Sequence, residues 1–284
     1  MINRLKGFLK RIIFRPPAVQ PAYIKLVAPS EALRGRVALI TGGTSGIGKE
    51  IARAFCQAGA KVIITSRSKD RAEQTAHEIS PANVTGIEFD SSDIARLEYN
   101  YQRLIQSISG SKIDILVNNA GLVGGDIRHT DEEEFDRIIA TNLKGAFFLS
   151  KIVAADMIRN NVKGNILNIA SSSSLRPAVS AYTLSKWGIR GLTEGLAKMF
   201  VGHGIVVNGL APGPTATPML RKHDYSDIAL PTSPIGRYAL PEEIAAMAVF
   251  LCGPMGRTIV GDIIYMTGGA GIIEINDINY DFTV

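Results

Sequence analysis

Cysteine, histidine and tryptophan are scarce in this chain, and acidic residues are missing from its beginning. Two cysteines among 284 residues, Cys56 and Cys252, lie far apart without metal-type spacing. They exclude a disulfide framework and read as reduced thiols of an intracellular, cytoplasmic protein. Four scattered histidines, His77, His129, His203 and His223, argue against a protein-built metal site. No acid precedes Glu31, whereas residues 1–35 carry seven cations. That stretch therefore holds +6 of a formal chain total of +5, leaving −1 for everything after it. A near-neutral body argues against a nucleic-acid-binding core.

What is present points to an α/β protein. Apolar residues make up 46% of the chain, ample for a sizeable core, and there are 28 glycines. The basic segment before Pro16 places Ile2, Leu5, Leu9, Ile12 and Ile13 at helical spacing among cations. Three readings of it stay open: an arm on a neighbouring subunit or the body, a helix on an acidic membrane surface through residues 1–15, or a targeting segment. From Arg36 onward, short β-rich runs alternate with helical stretches. Strands are expected near Arg36–Thr41, Lys61–Ser66, Thr85–Phe89, Ile113–Val117, Asn165–Ala170, Ile205–Leu210 and Ile263–Met266. Helices are expected near Gly46–Ala58, Asp70–Ile79, Asp93–Ile108, Glu132–Arg159, Ala181–Val201 and Pro241–Leu251. This alternation implies a Rossmann-type, doubly wound parallel sheet with ligands at the strands' carboxyl ends. The expected organisation is a basic extension at 1–35, one domain at 36–270, and an acidic tail at 271–284.

Three motifs carry the chemistry. Thr41-Gly-Gly-Thr-Ser-Gly-Ile-Gly48 joins the first strand to the first helix. Its Gly42, Gly46 and Gly48 let backbone approach a pyrophosphate, which the helix amino end favours. A merely structural turn is the competing reading. At the end of the second strand, Thr65-Ser-Arg-Ser68 offers no acid to a free ribose hydroxyl. Ser66 and Arg67 instead suit a 2′-phosphate, favouring NADP over NAD. Tyr182-Thr-Leu-Ser-Lys186 places a phenol and an ammonium one helical turn apart. A nearby cation lowers a phenol's pKa toward the working range, so the pair suits proton transfer to or from an alcohol.

With Asn118-Asn-Ala-Gly121 between them, these motifs resemble the short-chain dehydrogenase/reductase family in its single-domain branch, most of all its 3-oxoacyl-acyl-carrier-protein reductases. The likeness spans about residues 36–270. It implies Tyr182 as general acid, Lys186 as its partner and ribose ligand, Asn142 in a water relay, and a serine on the substrate oxygen. Ser171 and Ser172 both qualify for the last role. It also implies Gly42, Ser45, Gly46, Ile47 and Gly48 at the phosphates, and Asp90 and Ser91 at the adenine. Asn118, Ala120 and Gly121 fall to the ribose, and Pro212, Gly213, Thr215 and Thr217 to the nicotinamide side. The expected protein is an NADP(H)-dependent oxidoreductase, homo-oligomeric, acting on a small-molecule ketone, 3-oxoacyl group or secondary alcohol. A catalytically silent NADP sensor or scaffold is the alternative. The cations Arg176, Arg221, Lys222, His223 and Arg237 around the expected lid either attract an anionic substrate or are simply solvated.

Overall fold

The computed structural model describes residues 27–108, 111–220, 227–271 and 273. The basic segment up to residue 26, Arg221, Lys222, His223 and most of the acidic tail lie outside them. Seven strands, β1 (Val37–Ile40), β2 (Lys61–Ser66), β3 (Val84–Glu88), β4 (Ile115–Asn118), β5 (Asn165–Ile169), β6 (Val206–Pro212) and β7 (Ile263–Met266), form one sheet in the order 3-2-1-4-5-6-7. Every pairing is parallel. The strand order reverses between β1 and β4, the place where such sheets open a crevice for ligands.

Parallel strands buried on both faces read as continuous apolar runs, and alternate side chains divide between two cores. Ala38 and Ile40 of β1 and Ile115 and Val117 of β4 face one of them. There they meet Ile51 and Phe55 of α1 (Gly46–Gln57). Leu39 and Leu116 face the other core, with Leu97, Tyr101 and Leu104 of α3 (Leu97–Ser107), which follows α2 (Lys69–Ile79). Helices α4 (Glu132–Ile139), α5 (Gly145–Arg159), α6 (Ala181–Phe200) and α7 (Pro241–Cys252) complete the layers.

Three element expectations need correction. Helix α3 begins at Leu97, because Asp93 closes a local turn by accepting the Arg96 amide at 3.3 Å. The stretch expected as one helix over 132–159 is interrupted by a π-helical turn, Ala140–Lys144. The body also begins before Arg36: Leu33 is fully buried, and its amide donates to the Ala58 carbonyl at 2.8 Å.

Candidate active site

Two chain reversals meet at the switch point. After β1, Gly42 turns the chain with φ +63°, and a Cβ there would sit 2.9 Å from Ala120 Cα at the exit of β4. Thr41 and Asn119 lock the two exits together. Thr41 Oγ1 accepts from the amides of Asn119 (3.0 Å) and Ala120 (3.1 Å). Asn119 Nδ2 donates to the carbonyls of Thr41 and Gly42, both at 3.0 Å. The amino end of α1 thus opens upward with no acid in its first turn and no side-chain cap on Ser45. Free N–H groups and a positive helix end fit a bound phosphate.

A cleft of about 460 Å³ runs from this loop along the carboxyl ends of the strands. Gly42, Ser45, Gly46, Ile47, Ser66, Arg67, Asp90, Ser91, Ala120, Gly121, Ser171, Tyr182, Lys186, Pro212, Gly213, Thr215 and Thr217 all line it. Three of the expected site residues lie just behind the wall. Gly48 does so by necessity, since any side chain there would strike Asn119 Nδ2 and the Gly42 carbonyl. Asn118 is buried, its amide donating to Ser150 Oγ (2.9 Å) and Asn168 Oδ1 (2.8 Å). Asn142 lies in the π turn, its Oδ1 accepting from the Leu122 amide at 2.7 Å. Its Nδ2 donates to the Leu122 carbonyl (2.9 Å) and Ser185 Oγ (3.0 Å), so the side chain is fully engaged in holding the loop after β4.

Sequence reading missed Asn119 and Arg71. Arg71 lines the cleft beside Arg67 at its β2 end, one turn into α2 behind the Ser68 cap. Its spacing of four residues from Arg67 was a usable signal.

Tyr182 and Lys186 are carried by α6. Ser180 caps that helix by accepting the Thr183 amide at 3.1 Å, which fixes Tyr182 and Lys186 in its first two turns. Lys186 Nζ donates to the Ile169 carbonyl at 2.8 Å and lies 5.6 Å from the Tyr182 ring centre. Burial draws the lysine's pKa down from 10.5 to about 8. The tyrosine's surroundings act on it differently from the expected lysine influence. Burial raises the phenol's pKa, and the opposing effect comes from the Ser171 hydroxyl rather than from Lys186. The ammonium points at a strand-end carbonyl, a direction that helical spacing does not reveal. Ser171, leaving β5, also accepts the Ser173 amide at 3.1 Å. Arg237, expected as a free lid cation, instead forms a two-pronged pair with Glu243 at 2.8 and 2.9 Å.

The model of the short chain dehydrogenase family matches residues 36–227. This chain belongs to that family. Its relatives include a 3-oxoacyl-(acyl-carrier-protein) reductase of Thermotoga maritima, 34% identical over 244 residues, covering 84% of this chain and 98% of the relative. Among solved structures, a 3-ketoacyl-(acyl-carrier-protein) reductase from Brucella melitensis complexed with NADH superposes with a TM-score of 0.75 at 33% identity. That match covers 84% of this chain and all of the other. A candidate NAD(P)-dependent gluconate 5-dehydrogenase from Beutenbergia cavernae, with NADP bound at low occupancy, superposes with a TM-score of 0.74 at 31% identity, covering 84% of this chain and 98% of the other. As a short-chain dehydrogenase, the protein is a nicotinamide-dependent oxidoreductase acting on CH–OH groups of small molecules.

Proposed function

We propose that this short-chain dehydrogenase uses NADP(H) and, in the reducing direction, converts a ketone or 3-oxoacyl group to a secondary alcohol. The observation that carries the reading is one cleft lined by the glycine loop, by Arg67 and Arg71 at one end, and by Ser171, Tyr182 and Lys186 farther along. Two guanidiniums and no acid after β2 favour a 2′-phosphate through charge-assisted hydrogen bonds. The nicotinamide, when bound, supplies the hydride in reduction and takes it up in oxidation.

The chain's own residues move the proton. Ser171 Oγ holds the substrate oxygen, and Tyr182 Oη gives its proton to that oxygen as the carbonyl's π pair becomes the new O–H bond. Lys186, cationic below about pH 8, holds ribose hydroxyls and returns a proton toward the phenolate. With its side chain engaged elsewhere, Asn142 serves any water relay through its main chain. Side-chain positions on Gly121 would lie 3.6 Å from Asn142 Oδ1 and 3.9 Å from Lys186 Nζ, so the two groups flank the same glycine. The catalytic unit is taken as 36–270 together with the buried turn around Leu33, in a soluble homo-oligomer of the cytoplasm.

Nicotinamide absorbance during turnover of acetoacetyl thioesters, cyclic ketones and keto-sugars tests the proposal. Oxidation of NADPH in preference to NADH is expected, with Tyr182→Phe lowering kcat about 10²- to 10⁴-fold. Turnover with NADH alone overturns the cofactor assignment. Undiminished rates in Tyr182→Phe overturn the mechanism, and tight NADPH binding without any turnover overturns catalysis itself.

A further inference from the structure

The cleft is lined by four cations, Arg67, Arg71, Arg176 and Lys186, against a single acid, Asp90. Two of these cations sit at the adenine end beside β2, and Lys186 donates to Ile169. Arg176 is left over. It follows the 3-10 turn Ser172–Leu175 that begins at Ser171, so it belongs to the substrate side of the cleft. Its backbone is held from both directions: its amide donates to the Ser173 carbonyl at 3.2 Å, and its carbonyl accepts from Trp187 Nε1 at 2.9 Å. The turn beneath it is anchored by the 3.2 Å contact between Ser174 Oγ and the Tyr265 hydroxyl. Its side chain runs past Gly271, where a Cβ would come within 3.6 Å of Nε. Among the described residues the guanidinium makes no hydrogen bond or ion pair. A positioned guanidinium on a cleft wall, with no acid paired to it among the described residues, attracts an anion. Apolar side chains share this otherwise partly polar wall, with Val123, Met219 and Leu220 lining the cleft and 44–48% exposed.

From this arrangement, and resting on the carbonyl-reductase reading above, we infer that Arg176 selects the substrate. The preferred substrate is an oxo compound with an apolar body and an anionic oxygen group, carboxylate or phosphate, that Arg176 binds. The guanidinium touches the substrate away from the reacting carbon, so it acts on specificity and not on the proton or hydride step.

Two matched pairs of probes test the inference, with kcat/KM measured for each under NADPH. One pair is 4-oxooctanoate and its methyl ester; the other is S-acetoacetyl-phosphopantetheine and S-acetoacetyl-pantetheine. The wild type is expected to prefer the charged member of at least one pair, and the pair that shows it identifies carboxylate or phosphate as the source of charge. Arg176→Ala should erase that preference, a loss of about tenfold or more in the ratio. Arg176→Lys should keep part of it, and Arg176→Glu should invert it. A ratio unchanged across all four proteins, with the neutral probes still reduced, overturns the inference and leaves the reductase reading standing. No reduction of any carbonyl by the wild type overturns both.

Discussion

Lys186 is the residue whose energetics are most open to experiment. Burial takes its pKa from 10.5 to about 8, so the folded chain binds fewer protons than the unfolded one between those values. Stability therefore rises with pH across that window, and the cost of burying the charge is fully felt below about pH 8. Replacing Lys186 by Met removes a cost on the order of 3 kcal/mol and leaves the Ile169 carbonyl without its donor, a loss of about 1 kcal/mol. A net gain of about 1–2 kcal/mol near pH 7 is expected, turning into a net loss of about 1 kcal/mol above pH 10.5, together with loss of turnover. Thermal melts followed by circular dichroism near pH 7, 9 and 11 check this, and a gain independent of pH would refute it. The sequence already displayed Tyr182 and Lys186 as a pair, because helical spacing is a local property. It did not reveal where the ammonium points, since Ile169 lies 17 residues away and only the fold brings it near. Ser171, favoured over Ser172 from its place at the strand exit, is the serine that hydrogen-bonds Tyr182, a contact that local spacing does not display.

Among the elements, the turn from β1 into α1 shows how a glycine can serve binding without touching the ligand. Gly48 lies behind the cleft wall, pressed against the Asn119 amide that ties the exits of β1 and β4 together. Gly48→Ala forces that amide away and should weaken NADPH binding about tenfold or more, read by fluorescence titration, while the protein stays folded. An unchanged Kd would show that the loop tolerates the displacement. The glycines were legible because their spacing follows the turn, whereas Asn119 was passed over in favour of its neighbours. The sheet was legible for a related reason: buried parallel strands announce themselves as short apolar runs. The π turn at Ala140–Lys144 was not. One residue's slip in hydrogen bonding leaves the apolar periodicity of 132–159 almost intact, so only the backbone reveals it. That slip carries Asn142 inward to the loop after β4.

At the scale of the whole molecule, the apolar residues left outside the core suggest how copies meet. Glu132–Arg159 is the one stretch among the described residues long and apolar enough to cross a membrane, by length and composition alone. Its apolar residues divide between two sides. Leu149, Val153 and Met157 are buried in the core, whereas Phe147 remains 47% exposed. On α6, Leu184 and Trp187 are similarly uncovered, at 46% and 42%. A helix apolar on both sides is covered on both sides, and in a homo-oligomer the second cover is another copy of the same surface. The uncovered apolar residues named above lie on helices α5 and α6. Phe147→Glu combined with Leu184→Glu places charge on that surface and leaves the cleft-lining side chains intact. Light scattering after size exclusion should then show the wild type as an oligomer and the double variant at a lower mass. Because a stable interface needs roughly 800 Å² from each partner, two central charges are enough to shift the equilibrium strongly. An unchanged mass would place the interface elsewhere on the body, and a monomeric wild type would refute the oligomer.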